Sequence, residues 1–231
     1  MMQLIVPLAG PDFIRPDGAV KACQLLDGEP LLRRALDSRV WADDVGRLAP
    51  IFVLPDHPVA RAFAAGELEE WYPGSAKVFL SSYARGAAMS SLAALALTVD
   101  WSVPVCIDLS DILFDCPENP LDRFASEDVG GVALCFKSSN PAYSYLQCDE
   151  DGKVLNAAEK KVLSSNASAG VYFFRNSATL VSAIGHSMAN SDTLAYKGNL
   201  FVCPLFNGVI DTGARVEINF VRDVVDVKLD A

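Results

Sequence analysis

The sequence predicts an α/β fold: a mostly parallel sheet with helices on both faces in the amino-terminal half, joined to a mixed-strand carboxyl-terminal half. Three observations predict it. Short β-rich apolar runs alternate with helix-length segments over the first hundred residues, and that alternation implies crossover units on a parallel sheet. The apolar runs are apolar throughout, as strands are when both of their faces are covered. Beyond residue 130 the pattern changes to successive strands separated by turns.

The strands of the first half are expected at residues 3–8, 50–54, 77–81 and 103–107, and the helices at 30–41, 58–71 and 86–99. In the first helix, Leu31, Leu32, Ala35, Leu36 and Val40 recur at helical spacing and define a buried face. Pro30 suits its first turn. The second half is expected to place strands at 131–137, 143–148, 154–159 and 170–174, helices at 177–189 and 200–210, and a strand at 215–221. Residues 149–153 read as a hairpin turn in which Gly152 takes a positive φ. The last stretch, 223–230, alternates charged and apolar residues and reads as an edge strand at a contact between two copies of the chain. No Pro/Gly/Ser-rich linker interrupts the 231 residues, so residues 1–231 are expected to form a single domain.

Composition excludes several classes of function. Apolar residues make up 51% and charged residues 21%, which rules against intrinsic disorder. Nineteen Lys and Arg against 29 Asp and Glu leave a formal charge of −10. A general nucleic-acid or anionic-membrane binder needs a broad cationic face, so neither partner is expected. Six cysteines lie at 23, 106, 116, 135, 148 and 203, four of them (Cys23, Cys106, Cys135, Cys203) in apolar surroundings. They read as reduced, mostly buried thiols of a cytoplasmic protein. With only His57 and His186, the chain offers no Cys/His zinc set. The apolar run 4–8 has no basic flank and is too short for a signal peptide. The longest apolar segment, 87–99, is interrupted by Ser90, Ser91 and Thr98 and falls short of a membrane helix. Trp41, Trp71 and Trp101 read as core or rim packing, and Glu67, Glu69 and Glu70 as a solvated helix face.

Ligands of parallel α/β sheets sit beyond the carboxyl ends of the strands, so candidate sites are sought there. The first strand opens into a long loop, residues 8–21, that contains Gly10, Gly18, Arg15 and Lys21. Such a loop can wrap a phosphate chain with N–H groups and cations, or it can be an ordinary surface loop. The fourth strand runs into Asp108-Leu109-Ser110-Asp111. Carboxylates at the mouth of a buried strand must be solvated, paired or bound to a cation. A hard ion such as Mg²⁺ meets that need, and a local helix cap is the plainer alternative. The segment 81–88 has small residues that let a flat ligand approach the backbone, or that simply start a helix. Glu159-Lys160-Lys161 closes a strand and is followed by Ser164 to Gly170. It is either a solvated strand end or a carboxylate and an ammonium that grip a hydroxyl and a phosphate.

Taken in order, these pieces resemble the sugar nucleotidyltransferases, which join an NTP to a sugar 1-phosphate. The resemblance rests on Ile5-Val6-Pro7-Leu8-Ala9-Gly10, Arg15, Lys21 and Gly28-Glu29-Pro30-Leu31-Leu32. It continues with Arg85-Gly86-Ala87-Ala88, Ile107-Asp108-Leu109-Ser110-Asp111 and Glu159-Lys160. The most specific block is Ser165-Asn166-Ala167-Ser168-Ala169-Gly170-Val171-Tyr172-Phe173-Phe174. Residues 202–207, Val-Cys-Pro-Leu-Phe-Asn, are similar to a late helix of small bacterial members tied to capsule or surface-polysaccharide gene products.

The resemblance implies a GT-A/Rossmann-like fold and an Mg²⁺-dependent transfer in which Lys21 and Arg15 hold the NTP phosphates. It implies that Leu8, Ala9, Gly10, Arg85, Gly86 and Ala87 surround the nucleotide, and that Asp111 or Asp108 binds Mg²⁺. It further implies that Glu159, Lys160, Asn166, Gly170 and Asn207 serve the phosphorylated acceptor, with Asp211 a candidate second metal carboxylate. The implied partners are an NTP and a small phosphorylated substrate, and a homodimer fits the carboxyl-terminal strand. The chain departs from the family in the glycine-rich loop: where the family has Gly-x-Gly-Ser/Thr-Arg, this chain has Pro11-Asp12-Phe13-Ile14-Arg15. That departure keeps a second expectation open, a non-catalytic relative that binds a nucleotide or sugar. A nucleotide-sugar glycosyltransferase of the same architecture is a third, although its usual Asp-x-Asp is one residue shorter than Asp108-Leu109-Ser110-Asp111.

Overall fold

A computed structural model describes residues 1–45, 48–81 and 85–227. Among them the strands are β1 (Gln3–Pro7), β2 (Leu25–Leu26), β3 (Glu29–Pro30), β4 (Ile51–Pro55), β5 (Ala76–Leu80), β6 (Val105–Asp108) and β7 (Ile112–Asp115). The second half adds β8 (Val129–Lys137), β9 (Tyr145–Cys148), β10 (Val154–Ala158), β11 (Asn166–Phe174), β12 (Arg215–Phe220) and β13 (Arg222–Asp226). The helices are α1 (Leu31–Asp37), α2 (Pro58–Ala65), α3 (Glu67–Trp71), α4 (Ala87–Leu95), α5 (Ser177–Ala189), α6 (Ser191–Leu194) and α7 (Phe206–Asp211). Residues 82–84 of the expected small-residue segment and 228–230 of the expected last strand lie outside the described residues.

The first half is parallel, as the sequence predicts. β1 pairs in parallel with β4 on one edge and with β6 on the other, and β4 pairs in parallel with β5. The second half enters by β11, which runs antiparallel to β6, Val171 facing Asp108 and Phe174 facing Val105. β8 then lies antiparallel to β11, β12 runs parallel to β8, and β9 and β10 form the expected hairpin with Gly152 at φ +82°. β13 pairs with β7 in a separate two-stranded ribbon, so this strand is partnered within the chain.

Alternation along the strands fills both faces. Ile5, Ile51, Val53 and Ile107 point into a core with Ala88, Leu95, Leu180 and Phe206, under α4, α5 and α7. Leu4, Val6, Phe52, Leu54 and Cys106 point into the other, with Leu32, Leu36, Phe63 and Leu68 of α1, α2 and α3. At about 25 cal/mol per Å² of apolar surface removed from water, burial on both faces is the main force that holds the sheet.

Several boundaries differ from the expectations. The helix expected over 30–41 ends at Asp37, where the Ser38 hydroxyl donates to the Ala35 carbonyl and Arg39 turns into the interior. Val40 is therefore 47% exposed instead of sharing the buried face. The helix expected over 58–71 breaks at Gly66, whose φ −99° and ψ −103° are not helical. The helix expected over 200–210 narrows to a 3₁₀ turn at Cys203–Leu205 followed by α7. Trp41 is a core residue, its ring 5.0 Å from that of Phe173, but Trp101 is half exposed. All six thiols are free; Cys116 is buried with Cys106, Cys135 and Cys203, whereas Cys23 and Cys148 are partly exposed. Among the described residues no helix is long and apolar enough to cross a membrane.

Candidate active site

The carboxyl ends of β1 and β6 open onto a cavity of about 460 Å³. The loop after β1 forms its floor. Phe13 is buried against Phe63, ring centroids 6.0 Å apart, and pins the loop to the core. Its N–H donates to the Gly10 carbonyl, and its own carbonyl accepts from the Lys21 N–H. Ile14 and Val20 then bridge, closing residues 15–19 into a small turn. Lys21 thus returns to the cavity beside Gly10, with Leu8 on the same wall. Arg15 does not: it sits in the turn, paired with Asp17 at 3.2 Å, outside the cavity lining.

Beyond β6 the chain makes a tight excursion. Asp108 is fully buried and its carboxylate is occupied: Arg39 Nε donates to Oδ2 at 2.9 Å, and Arg39 Nη2 donates to Oδ1 at 3.2 Å. The Ser110 N–H donates to the same Oδ1 at 2.8 Å, with Ser110 held at φ +54°. Arg39 Nη2 also reaches the Ile112 carbonyl, so one guanidinium fixes both feet of the loop. Asp108 is consequently a buried anchor and not a cavity carboxylate, which corrects its expected part in metal binding. Asp111, at the top of the excursion, faces the cavity with Oδ2 3.7 Å from Lys21 Nζ.

A second cavity, of about 260 Å³, adjoins the first; both are lined by Ala87, Asp111 and Lys160. It exists because β11 bulges between Ser168 and Tyr172, where Gly170 takes φ +77°. Before the bulge β11 meets β9, and after it β6; the Gly170 carbonyl accepts from the Leu109 N–H. Glu159 lines this cavity and accepts from the Ser144 hydroxyl. Lys160 stands between the two cavities, its backbone at φ +51° and its ammonium 5.4 Å from the Tyr196 ring centroid. Burial pushes the Tyr172 hydroxyl far above its ordinary range, so it meets the cavity as a neutral group.

The remaining expected residues fall elsewhere. Ala9 is buried outside the lining. Arg85 and Gly86 contact the chain itself: the Arg85 carbonyl accepts from the Leu200 N–H, and a Cβ on Gly86 would lie 2.2 Å from the Leu200 oxygen. Gly86 is therefore required by backbone packing, at φ +100°. Asn166 is buried between Lys137, which donates to its Oδ1 at 2.7 Å, and the Leu146 carbonyl. Asn207 braces α7 against β10, accepting from the Ala157 N–H and donating to the Ala157 carbonyl. Asp211 lies at the end of α7, 73% exposed and 3.9 Å from His186 Nε2.

Two features of the cavities were not foreseen from sequence. Asp226, 7% exposed at the end of β13, lines the second cavity with Asp111, and the Val227 N–H donates to the Asp111 carbonyl. The turn at Tyr196–Asn199 adds Tyr196, Lys197 and Asn199 to the first cavity. The signal for Asp226 is an acid closing an apolar alternation, which a strand ending at a site also produces. Among the described residues no three His, Cys, Asp or Glu side chains converge as a metal cage. Two carboxylates of hard oxygen lining one cavity do fit Mg²⁺, which commonly keeps water and substrate phosphate as its other ligands.

No family model matches the chain, and no curated protein matches its sequence. Solved structures do match its fold. A nucleoside-diphosphate-sugar pyrophosphorylase from Vibrio cholerae RC9 superposes with a TM-score of 0.80 over 98% of this chain and 95% of its own, at 18% identity. An inositol-1-phosphate CTP transferase from T. maritima superposes with a TM-score of 0.68 over 100% of this chain and 91% of its own, at 16% identity. The chain thus has, from end to end, the Rossmann-like α/β fold on which those nucleotidyltransferases are built.

Proposed function

We propose that the chain is a nucleotidyltransferase that joins an NTP to a sugar phosphate or a related small phosphorylated acceptor, with release of pyrophosphate. The observation that carries this reading is the meeting of Lys21 and Asp111, 3.7 Å apart, on a cavity that also receives Lys160. Two adjoining cavities suit two substrates, the larger a nucleotide and the smaller an acceptor. The fold shared with a pyrophosphorylase and a CTP transferase supports the same class.

In the proposed reaction an oxygen of the acceptor phosphate forms a bond to the α-phosphorus. The bond from that phosphorus to its bridging oxygen breaks, and pyrophosphate leaves with the electron pair. The attacking oxygen is already anionic, so no protein nucleophile or base is needed, and His57 is accounted for as the cap of α2, accepting from the Val59 N–H. Lys21 offsets the charge that builds on the departing phosphates, and Lys160 orients the acceptor phosphate; positioning and charge account for most of such catalysis. Asp111 and Asp226 would hold Mg²⁺, which would neutralise phosphate charge. Glu159 would take a hydroxyl of the acceptor. A reaction that consumes NTP fits a cytoplasmic location, as do six free thiols.

The pairing of Lys21 with Asp12 favours a second reading, a nucleotide- or sugar-binding relative without turnover. Incubation with each NTP, Mg²⁺ and a panel of sugar and polyol phosphates, read by pyrophosphate release, separates the two. Turnover that falls by about 10²-fold or more in Lys21→Ala and Asp111→Asn supports the transferase. No turnover with any pair, together with thermal stabilisation by a nucleotide or sugar, favours the binder.

A further inference from the structure

Asp12 stands beside Lys21 in the larger of the two cavities. Lys21 Nζ donates to Asp12 Oδ2 at 2.8 Å, closer than its 3.7 Å to Asp111 Oδ2. The other oxygen of Asp12 lies 2.8 Å from the position a Cβ would take on Gly10, so the carboxylate folds back over Gly10. Gly10, Asp12, Lys21 and Asp111 all line this cavity. Asp12 therefore sets a negative charge against Lys21, where a bare polyphosphate would bring its own.

The two carboxylates differ in their exposure. The Asp111 side chain is 13% exposed and sits on a loop fixed at both feet by Arg39. The Asp12 side chain is 48% exposed and sits in a turn. An exposed ion pair of this kind is worth little and is readily exchanged for a stronger one. A phosphate group brings more charge and more acceptor oxygens to Lys21 than a carboxylate does.

We infer that Asp12 is a built-in counterion that occupies the phosphate position beside Lys21, so that an incoming polyphosphate must displace it. Asp12 is therefore a specificity-determining residue, which disfavours bare polyphosphate relative to polyphosphate already complexed with a cation. This rests on the nucleotide reading of the cavity.

The test is calorimetric binding of inorganic tripolyphosphate and of the four NTPs, each with Mg²⁺ and with EDTA, to the full chain. Wild type is compared with Asp12→Asn, Asp12→Ser and Asp17→Asn, after circular dichroism shows each to be folded. Asp17 carries the same charge five residues along the same loop but pairs with Arg15 outside the cavity. Both Asp12 variants should bind tripolyphosphate on the order of tenfold more tightly, with a larger gain in EDTA than in Mg²⁺. Asp17→Asn should stay within about twofold of wild type. The gain should vanish when Lys21→Ala is added to Asp12→Asn. Equal affinity in wild type and the Asp12 variants, or an equal gain in Asp17→Asn, overturns the inference and leaves the nucleotide reading standing. Failure of every form to bind any of these probes overturns both.

Discussion

Arg39 and Asp108 form a buried ion pair, 2% and 0% exposed, at the foot of the loop that lifts Asp111 into the cavity. The guanidinium lies 3.9 Å from the Phe114 ring centroid, and its Nη1 has no hydrogen-bond partner among the described residues. A buried pair of this kind contributes position more surely than stability, because desolvation offsets much of the attraction.

Removing one partner strands the other. Arg39→Met should cost about 3–5 kcal/mol, and the double variant Arg39→Met with Asp108→Asn should recover part of that loss. Urea unfolding of the four proteins measures it. A single-variant cost below about 1 kcal/mol would show that Asp108 finds water or another donor.

Gly86 and Gly18 both hold positive φ, at +100° and +87°, but only Gly86 meets backbone. Gly18→Ala should cost about 1 kcal/mol from conformation alone. Gly86→Ala adds a clash with the Leu200 carbonyl and should cost about 2–4 kcal/mol. Thermal melts of the two variants compare them directly, and equal losses would mean that the segment at Leu200 yields without strain.

Asn207 bonds both the N–H and the carbonyl of Ala157. Asn207→Leu leaves both groups unpaired under α7 and should destabilise by about 1–3 kcal/mol. Denaturant midpoints check this, and an unchanged midpoint would mean the brace is dispensable.

Burial pushes the thiols of Cys106, Cys135 and Cys203 up, and Cys23 to about 11. The folded state therefore holds these protons more tightly than the unfolded one. The stability they contribute is fully present below the ordinary thiol range and is lost as pH rises through it toward the folded values. Thermal melts should fall above about pH 9, and at pH 8 the native protein should react with a thiol reagent far more slowly than the six thiols of the unfolded chain. Rapid titration of all six in the native state would contradict it.

Much of the fold was legible because its signals are local. The apolar runs at β1, β4, β5 and β6 mark a covered parallel sheet wherever they lie, and the helix expected at 177–189 matches α5 to the residue. What sequence could not show was which of two similar groups a distant partner would take. Asp108 and Asp111 are three residues apart, and Arg39 decides between them from 69 positions away. Asn166 and Asn207 read as acceptor contacts until Lys137 and Ala157 are seen to occupy them. Asp226 was hidden because pairing of β13 with β7 brings it to Asp111 across more than a hundred residues.

The antiparallel join of β6 with β11 governs how the polypeptide can be made. β11 closes the outer edge of the wholly buried β6, and it begins nearly sixty residues downstream. During synthesis the growing chain must carry Val105, Cys106 and Ile107 with that edge open until the later strand leaves the ribosome. This interval is where sticking between nascent chains would begin, and slowing translation just before residue 166 should lower the soluble yield.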